Sequence, residues 1–364
     1  MRSPTDHLVF AIISFEGPDP YSQAGGLGIR VTGLSSALAE SGYDTHVFFI
    51  GDPAMASEER RCDGRLTLHR WAQWISANCP DGVYHGEAAK AHDVSVALPS
   101  YLIDRIVSPA LAKGCIPVLL FEEWQTAECA CRVAEQLAAM GARETALLAW
   151  NANHFYGFER IDWPRLAASV EITTVSRHMR SIVRACGADA RVIPNGIPSA
   201  ALTPVARRDV SRFRAPFANR PNAGLFFKMA RWEREKGWTQ ALDAVARARA
   251  GNRQLTLVAR AGGPTGQGGG LEADADARRL RVVGFDSEES FDAGFSDSVR
   301  AGADVVHLRF GVQPSLARTL FAASDGVLAN SVSEPFGLVG LEAMAAGGVA
   351  YTGGTGEDYA VGGR

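Results

Sequence analysis

The sequence predicts an α/β protein in two domains. Its 364 residues are enough for two separate cores. Short apolar runs alternate with stretches whose apolar residues recur at helical spacing. Near each end of the chain an apolar run enters a glycine-containing loop that opens a helix, and in open α/β sheets ligands bind at such strand ends.

Bulk composition narrows the function. The net charge is −3 with 21% charged residues, so nothing argues for a nucleic-acid partner or for an anionic membrane. No lysine- or arginine-led apolar segment opens the chain, and no apolar run approaches about 18 residues. A cytoplasmic location is expected, with peripheral membrane contact left open. The six cysteines, Cys62, Cys79, Cys115, Cys129, Cys131 and Cys186, lack zinc-type pairing and the density of a disulfide framework. Cys129 and Cys131, in an alanine-rich helical stretch, read as structural.

Taken in order, residues 7–14 are a short apolar strand followed by Phe15-Glu16-Gly17-Pro18 and Ala24-Gly25-Gly26-Leu27-Gly28. Residues 29–41 set Val31, Leu34 and Leu38 on one helical face, and residues 45–50 are strand again. Gly25 and Gly26 let a ligand approach the backbone and meet its amides, or serve the turn alone. Residues 52–100 read as irregular, with Trp71, Trp74, Tyr84 and His85 offering either a carbohydrate-binding surface or ordinary loop packing. A buried strand at 117–121 enters Glu122-Glu123-Trp124-Gln125-Thr126 at a helix start, and a strand at 145–150 ends in Asn151-Ala152-Asn153-His154. Strand-like segments at 171–175 and 191–193 lead to Ser176-Arg177 and to Pro194-Asn195-Gly196. Residues 199–221, rich in Arg, Pro and Ala with poor periodicity, are the expected linker between a first domain, 1–198, and a second, 222–364.

The second domain opens with a strand at 225–230 and the segment Arg231-Trp232-Glu233-Arg234-Glu235-Lys236-Gly237. Arg231 and Lys236 bracket one turn at the strand's carboxyl edge, where two fixed cations would neutralise a diphosphate. A strand at 255–259 precedes a glycine-rich loop at 262–270, and a strand at 303–308 ends at Arg309. A helix at 316–324 and a strand at 326–330 then reach Glu334-Pro335-Phe336-Gly337-Leu338. Pro335 and Gly337 break the backbone, and residues 338–346 are good helix formers closed by Gly347. Glu342 is the odd residue there. A carboxylate among Leu338, Leu341, Ala343 and Met344 either reaches solvent or an arginine, or meets a ligand's hydroxyl pair.

Glu334 and Glu342, eight positions apart around Pro-Phe-Gly-Leu, resemble the Glu-x7-Glu signature of the retaining glycosyltransferases of family 4 and the related glycogen and starch synthases. Other segments resemble that family in the same order: the glycine turn at Gly25-Gly26, the Trp124-Gln125-Thr126 segment with Glu123 in place of Asp, the Pro-Asn-Gly at 194–196, and Arg231-x4-Lys236-Gly237. The resemblance implies the GT-B architecture, two facing Rossmann-like domains with parallel sheets. It implies that Arg231 and Lys236 contact the donor phosphates, and that Glu334 with the amides of Phe336, Gly337 and Leu338 holds the sugar. Glu342 would hold the ribose, the Gly25-Gly26 loop would face the diphosphate and sugar, and backbone near Arg309 would hold the base. His154, or Asn151 before it, would lie near the donor sugar. Relatives usually continue past the point where this chain stops, so the second domain is expected to be incomplete.

The expected activity is retaining transfer of a hexose from a nucleotide-diphosphate sugar to a hydroxyl of a glycan, disaccharide or lipid-linked acceptor. The nucleotide sugar is a co-substrate and no cofactor is expected. Metal independence is expected. Two alternatives stand beside this reading: a glycoside phosphorylase of the same fold, and a non-catalytic nucleotide-sugar-binding protein.

Overall fold

A computed structural model describes residues 7–220, 223–262 and 269–360. Position 221 of the expected linker, positions 263–268 of the glycine-rich loop and positions 361–364 lie outside them. The chain forms two compact units, Met1–Gly196 and Ile197–Arg364.

The first unit has strands β1 (Leu8–Ile13), β2 (Asp44–Ile50), β3 (Glu58–Arg61), β4 (Leu66–Trp71), β5 (Ile116–Glu122), β6 (Leu147–Ala152), β7 (Glu171–Thr174) and β8 (Arg191–Val192). They form one sheet in the order β3-β4-β2-β1-β5-β6-β7-β8. Every pairing is parallel except that of the edge strand β3 with β4. A parallel sheet is covered on both faces by its crossover helices, which is why its inner strands are continuous apolar runs. Val31 and Ala39 of the helix Gly26–Glu40 bury against Ile12, Val47 and Phe49. The order reverses at β1, with β2 on one side and β5 on the other, so the ligand crevice expected of such a sheet lies beyond the carboxyl ends of β1 and β5.

The second unit has β9 (Ala223–Arg231), β10 (Gln254–Gly262), β11 (Val282–Phe285), β12 (Val305–Leu308), β13 (Gly326–Ala329) and β14 (Ala350–Thr352). They form a parallel sheet in the order β11-β12-β10-β9-β13-β14, which reverses at β9. Side chains alternate along β9. Phe227 enters a core with Phe213, Phe291, Phe295 and Phe321, whereas Phe226 packs on the opposite face with Trp238, Leu242 and Leu257.

Three expectations are corrected. Residues 52–100 are not irregular: they carry β3, β4 and the helix Glu87–Val96. Strand β4 gives no alternating signal because its polar residues are buried with partners. Arg70 Nε and Nη2 reach Asp19 at 2.8 and 3.0 Å, and Nη2 reaches Glu59 at 2.6 Å. The stretch expected as linker holds a 3₁₀ turn, Ser199–Leu202, and a helix, Arg207–Arg214, whose Phe213 is 1% exposed in the second unit's core. At the end of the glycine-rich loop, Gly269 and Gly270 open the helix Gly269–Ala277.

Candidate active site

In the second unit, the strand ends that flank the reversal are those of β9 and β13. Past Arg231 the chain makes a 3₁₀ turn, Arg234–Lys236, and starts the helix Trp238–Ala250 from Gly237 at φ 68°. A Cβ on Gly237 would lie 2.2 Å from the Asn330 carbonyl oxygen, so only glycine lets the two loops meet. They are joined twice: Asn330 Nδ2 donates to the Gly237 carbonyl at 3.0 Å, and the Val332 amide donates to the Glu235 carbonyl at 2.8 Å.

This junction brings Lys236 to Glu334. Their Nζ and Oε2 are 2.9 Å apart, with the side chains 18% and 22% exposed, so solvent screens the pair only partly. Beneath them Lys228 is buried, and its Nζ donates to the Asn330 Oδ1 at 2.7 Å and to the Leu328 carbonyl at 3.1 Å. Burial first, then the charge of Lys236, lowers its pKa to about 7 against the opposing pull of Glu334. Arg231 is more than half exposed and pairs with its near neighbour Glu233 at 3.0 Å rather than with Lys236 or Glu334.

The loop after β13 is fixed from behind. The Glu334 amide donates to Thr355 Oγ1 at 2.7 Å, and that hydroxyl returns to the Glu334 carbonyl at 2.9 Å. Gly337, at φ 80°, starts the helix Leu338–Ala345, and its carbonyl accepts the Tyr359 hydroxyl. The Tyr359 ring lies 5.5 Å from that of buried Phe336. Glu342, on the same helix, has no hydrogen-bond or ion-pair partner among the described residues, and burial raises its pKa. Arg309 ends β12 and is held by Glu272, at 2.9 Å from Nε and 2.6 Å from Nη2. The same Glu272 oxygen lies 3.0 Å from His307 Nδ1.

In the first unit, Glu16 organises the glycine turn. Its Oε2 accepts the amides of Ala24, Gly25 and Gly28 at 3.2, 2.9 and 3.0 Å, and its Oε1 accepts the Tyr84 hydroxyl at 2.6 Å. The Gly25 amide therefore faces an internal carboxylate, while Gly26 itself is exposed. Across the reversal, at the end of β5, Glu122 accepts Arg30 Nε at 3.2 Å, Asn151 Nδ2 at 3.0 Å and Asn153 Nδ2 at 2.6 Å. Glu123, at φ 67°, turns its carboxylate onto the amides of Asn153 and His154, at 2.8 and 3.0 Å. Burial, with the Glu122 charge adding, raises the Glu123 pKa to about 8. His154 is exposed on this loop, with its ring 4.4 Å from that of Phe155. Asn151 is buried and its Oδ1 accepts Thr173 at 2.9 Å.

Within the second unit, then, Lys236, Glu334, Phe336, Gly337, Leu338 and Glu342 cluster beside the end of β13, while Arg231 is paired with Glu233 and Arg309 follows a strand two places from β9. Sequence reading missed Lys228, Asn330 and Glu16 as site residues. The available signal was a lysine inside the apolar run Leu225-Phe226-Phe227-Lys228-Met229, where a charge needs a reason.

No protein-family model and no curated protein matches the sequence. Solved structures do match by shape. The catalytic domain of starch synthase IV from Arabidopsis thaliana, bound to ADP and acarbose, is 17% identical with TM-score 0.60, covering 95% of this chain and 83% of that one. The sucrose-phosphate synthase of Thermosynechococcus elongatus is 18% identical with TM-score 0.57, over 95% and 82% of the two chains. A UDP-forming trehalose-phosphate synthase from Burkholderia xenovorans is 14% identical with TM-score 0.53, over 93% and 81%. The fold is GT-B. Both Rossmann-like units of this GT-B chain place their polar clusters at the carboxyl ends of the strands where the sheet order reverses.

Proposed function

We propose that the chain is a retaining glycosyltransferase that moves a hexose from a nucleotide-diphosphate sugar to a hydroxyl acceptor. The observation that carries this is the cluster at the ends of β9 and β13: the Lys236–Glu334 pair, with Glu342 on the adjoining helix lacking a hydrogen-bond or ion-pair partner among the described residues. Two neighbouring folds support it, one solved with ADP and acarbose and one described as UDP-forming.

In this reading Lys236 meets the diphosphate, and Arg231 swings from Glu233 to join it. Glu334 and the amides of Phe336, Gly337 and Leu338 orient the sugar. Glu342 accepts the two ribose hydroxyls, each charged hydrogen bond contributing about 1.5–3 kcal/mol. Fixed cations stabilise the charge that grows on the leaving diphosphate, which takes the acceptor's proton on the same face of the sugar. The cations are the protein's own, so turnover is expected to persist in EDTA.

The test is a thermal-shift screen of UDP, GDP and ADP with their glucose and mannose sugars, with inorganic phosphate alongside. Assays of wild type, Lys236→Met and Arg231→Ala then follow, with the product anomer read by NMR. One nucleotide should raise the melting temperature, and both variants should lose about 100-fold or more in kcat/KM. Full turnover in both variants, or a product of inverted configuration, refutes the mechanism. Consumption of free phosphate without nucleotide identifies a phosphorylase instead.

A further inference from the structure

Lys228 is the least expected residue of the second unit. Its side chain leaves β9 among apolar neighbours, and the residue is 1% exposed. Its Nζ lies 5.0 Å from the centre of the Trp238 ring. Its two hydrogen-bond acceptors, the Leu328 carbonyl and Asn330 Oδ1, are both neutral. No carboxylate forms an ion pair with it among the described residues. The charged groups facing it are Lys236, from the turn before the Trp238 helix, and Glu334, from the loop after β13. These two are already paired with each other at 2.9 Å, while Trp238 and Asn330 bring no charge.

Two acceptors match the two N–H groups of a neutral amine, and an ammonium would carry a third. A buried ammonium without a counter-ion is strongly disfavoured. The arrangement becomes favourable once a dianion settles on Lys236 just above. The same amine also steadies that place, because Asn330, its acceptor, donates to the Gly237 carbonyl next to Lys236.

We propose that Lys228 is a buried third cation of the donor site, which takes up a proton from solvent when the nucleotide diphosphate binds and thereby strengthens that binding. The proposal rests on the donor-site reading above. It makes Lys228 a positioning and charge-balancing residue that acts through Asn330 and Lys236, without touching the sugar.

Calorimetric titration tests it. UDP-glucose, ADP-glucose and GDP-mannose are suitable probes, because their esterified diphosphates do not titrate near neutrality. Titration at pH 8 in buffers of different ionisation enthalpy counts the protons exchanged. With the Lys228 pKa lowered to about 7, wild type should take up close to one proton per bound ligand at pH 8 and far less at pH 5.5. Lys228→Arg, always charged, should bind with no uptake. Lys228→Met should show no uptake and about tenfold weaker binding. Should Lys228→Met not melt cooperatively, wild type and Lys228→Arg decide alone. Equal uptake in wild type and Lys228→Arg, or none in wild type at pH 8, overturns the proposal while leaving the donor site standing. Absence of binding by all three nucleotide sugars to cooperatively melting protein rejects the donor site, and this inference with it.

Discussion

Replacing Glu16 by alanine should loosen the first unit measurably. Its carboxylate is 4% exposed and receives three amides and one phenol. The four bonds are not worth the same. Ala24 and Gly25 are exposed, so water replaces the carboxylate there, leaving about 0.5 kcal/mol each. Gly28 is buried, and its amide left unpaired costs about 1–3 kcal/mol. The Tyr84 hydroxyl adds about 1 kcal/mol. The total is roughly 3–5 kcal/mol for Glu16→Ala, and about half that for Glu16→Gln, which keeps one acceptor oxygen. Denaturation followed by tryptophan fluorescence gives the stability, since five of the seven tryptophans lie in the first unit. Hydrogen exchange of the segment containing Gly25 and Gly28 gives the local effect. A loss under 1 kcal/mol in Glu16→Ala, with unchanged exchange at Gly28, would show that the carboxylate does not hold the turn.

Further predictions concern the other strained or unpartnered positions. Gly237→Ala should cost roughly 3 kcal/mol or more, since it adds a left-handed alanine and a clash with the Asn330 carbonyl, whereas Gly347→Ala, at φ 83° in open space, should cost only about 1–2 kcal/mol; equal melting temperatures would remove the argument for the junction. Glu123, with its pKa raised to about 8, holds a proton in the folded chain that the unfolded chain releases above about 4.5. Stability should therefore fall as pH rises from about 4.5 to 8, and Glu123→Gln should flatten that slope; parallel profiles would contradict it. Glu342→Leu should raise the melting temperature by roughly 2–4 °C while weakening nucleotide binding, and a variant both less stable and equally tight would refute the ligand role of Glu342.

How far the sequence could be read depended on where each residue found its partner. Strands β1, β5 and β9 were plain because apolar runs buried on both faces need no tertiary knowledge. Strands β3 and β4 were not, because Arg70 is polar by type and is buried through Asp19, Glu59 and the Ala56 carbonyl, the first of them 51 residues away. The helix Arg207–Arg214 escaped for a similar reason: its four arginines read as linker, and a single phenylalanine anchors it. At the site, Lys236 was legible from its spacing to Arg231 and Glu334 from its spacing to Glu342, but that Lys236 and Glu334 meet at 2.9 Å was not. The pairing of Arg231 with Glu233 and the closure of the glycine turn by Glu16 are local side-chain choices, and the burial of Lys228 under Asn330 is a contact between distant segments; spacing encodes none of the three.

The closure of the glycine turn has a consequence for engineering. A helix mouth ordinarily gathers anions, but here three of its amides are already neutralised from within, so the first unit offers a phosphate a carboxylate instead of a cradle. On the proposed donor reading, recruitment of the diphosphate is left to Lys236 and Arg231 of the second unit. On that same reading, redesign of nucleotide preference is directed at the second unit, with Glu16 and its turn carried over unchanged.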